Sequence, residues 1–261
     1  MEKSGNVMNK IVLNPDCKEK AGCLSPEYNV SRPVQLDIRG IADNRCIAIL
    51  PGSLNIEPYK VLRSRIIEQT KPNGWNTIMI TSALPGEGKT LTAINLSLTF
   101  AREFNHTVLL IDCDLQKQNI HKMLGISSQK GLIDYLMHDI PVSDIMLWPG
   151  VEKFTLISGG QTVQDSSEYL SSPKMKELFQ DIKTRYPERY VFFDVPPLLS
   201  KSDALAFSPL VDGILFVVES DKTSMDDVEK ALEIIPREKF LGFVLNRTKA
   251  RSGRYSYAQA Y

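Results

Sequence analysis

A short apolar run followed by a glycine-rich loop and a helical pattern constrains the fold of this chain most. The run is Thr77–Ser82, the loop Pro85–Thr90 reads Pro-Gly-Glu-Gly-Lys-Thr, and apolar residues recur at helical spacing from Leu91 onward. Glycines let the N–H groups of such a loop turn toward one point, and the helix N-terminus adds the positive end of its dipole. A strand, loop and helix in this order predict a P-loop that binds phosphate groups.

The loop is expected to bind ATP together with Mg²⁺. Lys89 would bridge the β- and γ-phosphates as a positive charge, and the Thr90 hydroxyl would ligate Mg²⁺. Ala83 replaces the first glycine of the usual pattern, but the part that contacts phosphate is intact. Asn246 ends the last apolar run, and its amide, which can donate and accept hydrogen bonds, is expected to read the adenine. The predicted nucleotide contacts are Pro85, Gly86, Glu87, Gly88, Lys89, Thr90, Leu91, Asn246 and Arg247.

Apolar runs typical of buried strands alternate with helical patterns after residue 76. Strands this apolar are buried on both faces of a sheet, and parallel neighbours need crossover connections of helical length. The alternation predicts an α/β fold, with a mostly parallel central sheet and helices on both faces. Strands are expected at Thr77–Ser82, Thr107–Asp112, Phe154–Ser158, Tyr190–Val195, Gly213–Glu219 and Phe240–Asn246, and helices at Thr90–Phe104, Lys174–Tyr186 and Met225–Ile235.

Aspartates stand where two of these apolar runs end. Asp112 and Asp114 follow one run, and Asp194 follows another. A single Asp after a strand is more often a turn former or a helix cap. Ligands bind at the carboxyl ends of strands in open α/β sheets, however, and the P-loop already places phosphate there. A Mg²⁺-binding or catalytic role is therefore expected for these three carboxylates.

Two flanking segments lack the alternating pattern. Residues 1–50 mix proline, glycine and polar residues with short apolar groups, and are expected to form a loosely ordered lead-in. Residues 51–247 are the expected folded domain, which opens with an amphipathic helix at about 55–70. Residues 248–261 are expected to form a flexible tail.

The tail is rich in tyrosine. Of nine tyrosines in the chain, Tyr255, Tyr257 and Tyr261 fall in the last seven residues. Their hydroxyls are expected to accept phosphate, which would reverse the charge of a segment with four cationic residues between Arg247 and Arg254. The alternative is a tail that is merely sticky, or docked on the domain.

Charge and hydropathy exclude several kinds of partner. The 31 Lys and Arg residues balance 31 Asp and Glu residues, so no overall field favours nucleic acid. No apolar stretch approaches the roughly 20 residues needed to cross a bilayer, and the N-terminus has no apolar signal core. The sequence therefore predicts a cytoplasmic protein with no membrane-spanning segment of its own.

These motifs together resemble those of the bacterial tyrosine autokinases, or BY-kinases, of capsule and exopolysaccharide loci. The loop Pro85–Thr90 resembles their Walker A motif, Leu110–Asp114 their Walker A′ and Val191–Pro197 their Walker B. The tyrosine tail completes the set, and the resemblance spans roughly residues 57–261. The fuller phrases around these motifs look closest to the subgroup of exopolysaccharide loci with exosortase systems. The resemblance implies a P-loop NTPase of the MinD/ParA-like, deviant Walker type.

The resemblance also implies a function. Members phosphorylate their own tail tyrosines in trans and regulate the polymerisation and export of polysaccharide. By this analogy Asp114 is the base or hydroxyl-orienting group, and Asp112 and Asp194 hold Mg²⁺ and its waters. The analogy further implies an activating membrane polysaccharide co-polymerase, here a separate protein, which would recruit the chain to the inner face of the cell membrane.

The helix at about 55–70 resembles a family motif that packs one subunit against the next in a ring. Glu57, Lys60 and Arg63 occupy its three positions, and steps of three keep them on one broad face of the helix. Lys60 replaces an arginine of the family motif, and Gln116 stands where the Walker A′ motif usually has arginine. The alternative is that this face is simply solvated.

Two other functions compete with the kinase. A switch ATPase of the MinD/ParA class would share the sheet, the P-loop and the aspartates, but such proteins typically carry a signature lysine early in the loop. Residues 82–85 contain none. A catalytically weak interaction module of polysaccharide assembly is the other alternative, because Lys60 and Gln116 depart from the family pattern.

Overall fold

The structure, a computed structural model, describes residues 31–50 and 56–249. The tyrosines of the tail and most of the lead-in lie outside these residues. The strands are β1 (Arg32–Pro33), β2 (Thr77–Ser82), β3 (Thr107–Asp112), β4 (Met146–Trp148), β5 (Phe154–Ile157), β6 (Arg189–Asp194), β7 (Gly213–Glu219) and β8 (Phe240–Asn246). The helices are α1 (Ile38–Asp43), α2 (Glu57–Thr70), α3 (Lys89–Ala101), α4 (Ile120–Met123), α5 (Leu132–His138), α6 (Val142–Ile145), α7 (Ser166–Ser171), α8 (Pro173–Thr184), α9 (Asp203–Phe207) and α10 (Met225–Ile234).

The strands form one mostly parallel sheet, as the alternation predicts. Over the described residues its order is β1-β4-β5-β3-β6-β2-β7-β8, and the β4–β5 pair is the one antiparallel pair. The six predicted strands occur within one residue of their expected limits. The sequence does not predict β1 or β4, because runs of two or three residues at an edge carry no readable period.

Helices cover both faces of the sheet because successive side chains of the central strands point in opposite directions. Along β2, Ile78 and Ile80 join a core packed against α2 and α3, whereas Met79 joins a core packed against the helices from α5 to α10. All three side chains are fully buried. The predicted α/β architecture is therefore confirmed.

The segment 31–50 is folded against the domain, so the expectation of a loosely ordered lead-in is wrong for these residues. Ile41, Cys46 and Ile49 are buried in the same core as α3. The N–H of Ala48 donates to Asn95 Oδ1 at 3.0 Å, which anchors the segment to α3. Its apolar groups are too short and too scattered to give a periodic signal, although several of them are buried in the core.

Helix α2 packs on α3 and presents the three residues of the predicted oligomer motif in two different ways. Lys60 pairs with Glu57 at 2.5 Å on the exposed face. Arg63 instead turns inward, where it donates to the Thr99 carbonyl at 2.8 Å and pairs with Glu103 at 2.6 Å. Arg63 therefore fastens α2 to the C-terminal end of α3 within one chain.

No helix among residues 31–50 and 56–249 is long and apolar enough to cross a membrane.

Candidate active site

The P-loop connects β2 to α3 at the carboxyl end of the sheet. Gly86 and Gly88 have φ values of 89° and 95°, a left-handed conformation that side chains disfavour. No acceptor among the described residues receives the amide N–H of either glycine, and no side chain caps the N-terminus of α3. The loop therefore presents unpaired N–H donors together with a helix N-terminus, which suits the phosphates of a nucleotide.

Lys89 is the buried cation of the site. Its Nζ lies 3.0 Å from Asp114 Oδ2 and 3.3 Å from Asp194 Oδ1. Burial alone would lower the pKa of Lys89, but the negative charges of Asp194 and two further aspartates outweigh it and raise that pKa. Lys89 is thus held in its charged form at the base of the P-loop.

Thr90 and Asp194 form the second contact between the P-loop and the neighbouring strand β6. The Thr90 hydroxyl donates to Asp194 Oδ2 at 2.6 Å. Asp194 is completely buried, and burial raises the pKa of its carboxyl group while Lys89 and Thr90 oppose that rise. A hydroxyl and a carboxylate oxygen so close together are the type of ligand pair that Mg²⁺ binds.

Asp112 and Asp114 occupy different depths at the end of β3. Asp112 lies opposite Asp194 in the sheet and is completely buried. Its carboxylate accepts the backbone N–H groups of Asp114, Asn119 and Ile120, each at 3.2 Å. Burial raises the pKa of the Asp112 carboxyl group, and the charge of Asp194 raises it further. Asp114 is nearer the surface, so the structure sets one carboxylate behind the site and one at its mouth.

A cavity of about 730 Å³ opens above these residues. Its volume lies within the range of roughly 300–1,000 Å³ that is typical of small-molecule sites. Most of the predicted nucleotide contacts line it, and five cations face it against one carboxylate, a balance that favours a polyphosphate. The lining residues are Asn44, Arg45, Pro85, Gly86, Gly88, Lys89, Thr90, Leu91, Asp114, Lys117, Asn119, Met123, Pro197, Ser200, Lys201, Asn246 and Arg247.

One predicted nucleotide contact, Glu87, points away from the cavity, and three cations that line the cavity were not predicted. The Glu87 carboxylate is buried behind the loop and does not line the cavity. Arg45, Lys117 and Lys201 line the cavity although they are not among the predicted contacts. Nothing in their local sequence marks them, because separate loops bring them together only in the fold.

Gln116 has a cationic neighbour at the edge of this cavity. Lys201 Nζ donates to Gln116 Oε1 at 2.6 Å, and the Gln116 amide donates to Ser166 Oγ at 3.0 Å. Ser166 in turn donates to Asp203 Oδ2 at 2.6 Å. The residue that departs from the expected arginine is therefore fixed in a hydrogen-bonded chain that ends on a lysine.

The donor set fits a magnesium nucleotide. Among the described residues, no group of three or more His, Cys, Asp or Glu side chains could enclose a metal ion. Mg²⁺ is commonly held by one or two carboxylates together with substrate phosphates. The Thr90 and Asp194 side chains beside an anion-binding loop supply that arrangement.

Comparisons with known proteins identify the family of this chain. The family model described as the AAA domain matches residues 75–239. The chain is similar to the tyrosine-protein kinase YwqD of Bacillus subtilis (strain 168), with 33% identity over 210 residues, 79% of this chain and 87% of that protein. It is also similar to the succinoglycan biosynthesis transport protein ExoP of Rhizobium meliloti (strain 1021), with 32% identity over 82% of this chain but 28% of that longer protein.

Two solved structures share the fold of this chain. The chimerical protein CapA2B2 superposes with a TM-score of 0.72 at 27% identity, over 83% of this chain and 92% of that one. The septum site-determining protein MinD of Pyrococcus horikoshii OT3 superposes with a TM-score of 0.54 at 24% identity, over 69% of this chain and 72% of that one, which shows a shared fold alone. The chain therefore belongs to the AAA-domain P-loop proteins and, among them, to the family of bacterial tyrosine-protein kinases.

Proposed function

We propose that this chain is an ATP-dependent protein-tyrosine kinase that phosphorylates the tail, residues 248–261, of another copy of itself. The observation that carries the proposal is the contact of buried Asp194 with Lys89 and Thr90 at a cationic cavity that Lys89, Thr90 and Asp114 line, in a chain whose relatives include named tyrosine kinases. With a magnesium nucleotide bound, such a site would transfer phosphate to a tyrosine hydroxyl placed at its mouth.

The residues divide into those that hold the nucleotide and those that hold the metal. Lys89 and the N–H groups of Gly86 and Gly88 would bind the β- and γ-phosphates. Thr90 and Asp194 would hold Mg²⁺, with Asp112 behind them orienting its waters. The chemistry supplied by Mg²⁺ held there would be neutralisation of the negative charge that develops on the phosphate oxygens. Asn246 and Arg247, which line the cavity beside the P-loop, would contact the base.

Asp114 is the proposed base. It lines the cavity, and Lys89 fixes one of its oxygens at 3.0 Å while the N–H of Lys117 fixes the other at 3.0 Å. In this position Asp114 would accept the phenolic proton while the tyrosine oxygen bonds to the γ-phosphorus and the bond from that phosphorus to ADP breaks. The predicted acceptors are Tyr255, Tyr257 and Tyr261.

The switch ATPase is the second candidate, and the fold does not separate it from the kinase. The P-loop does favour the kinase, because residues 82–85 lack the early lysine that typifies those ATPases. The tyrosine kinases among the relatives point the same way. Among residues 31–50 and 56–249, no feature favours hydrolysis without transfer.

The proposed setting is the inner face of the cell membrane. The chain matches about a quarter of the length of ExoP, so in that relative the matching region is one part of a larger transport protein. A separate membrane polysaccharide co-polymerase is the proposed activator here, and regulation of exopolysaccharide or capsule polymerisation and export is the proposed role. A ring-like homo-oligomer, with the exposed Glu57–Lys60 pair at its contact, would bring one tail to the next site.

Phosphotyrosine mapping tests the proposal. The purified protein is incubated with Mg²⁺ and ATP, with and without a cytoplasmic segment of the candidate activator, and its peptides are analysed by mass spectrometry. We expect phosphate on the tail tyrosines, lost in Lys89→Met and retained in the matched variant Lys176→Met on the exposed face of α8. ATP hydrolysis with unmodified tyrosines under both conditions would overturn the proposal in favour of the switch ATPase.

A further inference from the structure

Glu87 is a negative charge inside a loop that binds anions. A carboxylate facing the phosphates would repel them. The structure turns this side chain to the back of the loop, where it is 2% exposed. There Oε2 accepts the N–H of Leu84 at 2.7 Å, and Oε1 accepts the hydroxyl of Thr223. The loop therefore keeps its acidic residue away from the cavity only while these two donors hold it.

Thr223 is well placed to hold Glu87. It lies in the turn between β7 and α10, and its N–H donates to the Glu219 carbonyl at 3.1 Å. Its Oγ1 also accepts the N–H of Glu219 at 3.1 Å. Because the hydroxyl has a single proton, acceptance from Glu219 leaves that proton for the Glu87 carboxylate. The direction of the hydrogen bond is thus set by the turn itself.

The end of β8 makes a second hydrogen bond to Glu87. Asn246 Nδ2 donates to the Glu87 carbonyl at 2.8 Å. The approach is close: a Cβ atom at Gly88 would lie 2.0 Å from Asn246 Nδ2. Arg247, the next residue, pairs with Glu219 at 2.8 Å. The turn that carries Thr223 and the strand end that leads into the tail are therefore joined to each other and to the P-loop.

We propose that Thr223 and Glu87 form a clamp that positions the P-loop, so that the N–H groups of Gly86 and Gly88 face the cavity before the nucleotide arrives. Thr223 is a positioning residue, since it acts through Glu87 and does not line the cavity. The clamp deepens the proposed kinase function and rests on that function only for phosphate transfer to the tail. Its effect on the P-loop concerns nucleotide binding alone.

The test compares variants of Thr223 with a matched control in the full chain. Thr223→Val removes the hydroxyl while keeping the shape, and Thr223→Ala is a second removal if the valine methyl disturbs the turn. Thr223→Ser restores the hydroxyl. The control is Thr70→Val in α2, another buried threonine whose hydroxyl bonds to the Ile66 carbonyl at 2.8 Å and to Tyr190, far from the cavity.

Two readouts separate positioning from a merely structural role. One is the Kd for Mg²⁺-ATP by titration calorimetry, with the midpoint of urea unfolding measured alongside. The other is hydrogen exchange, without nucleotide, at the Leu84 amide, whose N–H donates to Glu87 Oε2. We expect both hydroxyl-free variants to weaken ATP binding on the order of tenfold and to exchange the Leu84 amide faster, because a buried carboxylate oxygen loses its donor. We expect Thr223→Ser to bind within about twofold of the unaltered chain.

Thr70→Val is expected to lower the urea midpoint without changing the Kd. The proposal is overturned if Thr223→Val and Thr223→Ala bind Mg²⁺-ATP as tightly as the unaltered chain, whatever their stability. It is also overturned if Thr70→Val weakens ATP binding as much as they do. These outcomes do not depend on tyrosine phosphorylation, so the clamp and the kinase function can fail separately.

Discussion

At the scale of single residues, the site depends on charges that would repel one another if they were not paired. Asp112, Asp114 and Asp194 lie within reach of one lysine, and all three carboxylates are almost completely buried. Lys89 and Thr90 offset part of that repulsion through their contacts with Asp114 and Asp194. The same two side chains are the ones proposed to bind phosphate and Mg²⁺, so ligand binding would exchange one set of ionic contacts for another.

Gly88→Ala should damage the site more than Gly74→Ala, although both glycines have positive φ. A Cβ at Gly88 would collide with Asn246, whereas a Cβ at Gly74 would meet nothing within 4 Å. Backbone strain alone should cost about 1–2 kcal/mol at Gly74. At Gly88 the collision adds to it, and we expect a loss of about 2 kcal/mol or more together with at least tenfold weaker ATP binding. Urea unfolding and calorimetry measure both, and equal losses at the two positions would contradict the collision.

Asp212 gives stability with a defined pH dependence. It accepts the Thr77 hydroxyl at 2.7 Å and the N–H of Asn76 at 3.1 Å, and it pairs with Lys183. Burial raises the pKa of Asp212, but the bonds to Lys183 and to the start of β2 outweigh burial and lower it. A carboxyl group whose pKa is lowered by folding stabilises the protein above its unfolded pKa of about 3.9, and this stability is lost as pH falls through the lower folded value.

Asp212→Asn should therefore lower the free energy of unfolding by about 1–3 kcal/mol at pH 7. The difference from the unaltered chain should shrink as pH falls below about 4, because the native carboxyl group is then protonated as well. Urea titrations from pH 7 to pH 3 measure it. Asp43→Asn, at an exposed position of α1, is the control and should show no such trend. A difference that stays constant down to pH 3 would mean that charge is not what Asp212 contributes.

At the scale of elements, Arg63 holds α2 against α3 within its own chain, although the sequence predicts that it contacts a neighbouring subunit. Arg63 is 14% exposed in its side chain and joins the end of α3, whereas Lys60 is 40% exposed and pairs along its own helix. Exposed pairs of this kind contribute little to stability. Arg63 and Lys60, two residues of one sequence motif, therefore make different contacts. The exposed Glu57–Lys60 pair is the part of the motif that is accessible to a second copy.

Arg63→Ala should lower the free energy of unfolding by about 1–3 kcal/mol, since it leaves Glu103 and the Thr99 carbonyl without their charged donor. Lys60→Ala should change it by no more than about 0.5 kcal/mol. Sedimentation analysis of both variants separates stability from assembly. If the proposed oligomer contact is correct, Lys60→Ala weakens assembly at unchanged stability, whereas unaltered assembly of that variant would remove Lys60 from the contact.

At the scale of the whole molecule, the sequence predicts site residues that lie in one short run and misses those that separate segments bring together. The P-loop and the strand-end aspartates can be predicted because each lies in a short run whose order fixes its geometry, as with Lys89 directly after Gly88. The sequence does not predict that Arg45, Lys117 and Lys201 belong to the site, since their side chains meet only when three loops pack around one cavity. The segment 31–50 is missed for the related reason that its buried side chains join a core built by other elements and follow no period of their own.

The measurement that tests the central claim most directly is a mixing experiment with two full-length variants. One carries Lys89→Met with an intact tail, and the other keeps Lys89 but has phenylalanine in place of Tyr255, Tyr257 and Tyr261. Incubated together with Mg²⁺-ATP, and with the activator segment where one is available, they should produce phosphotyrosine on the tail of the Lys89→Met chain. Each variant alone should produce none there. Absence of phosphotyrosine from that tail in the mixture, when the unaltered chain modifies itself, would contradict transfer between copies.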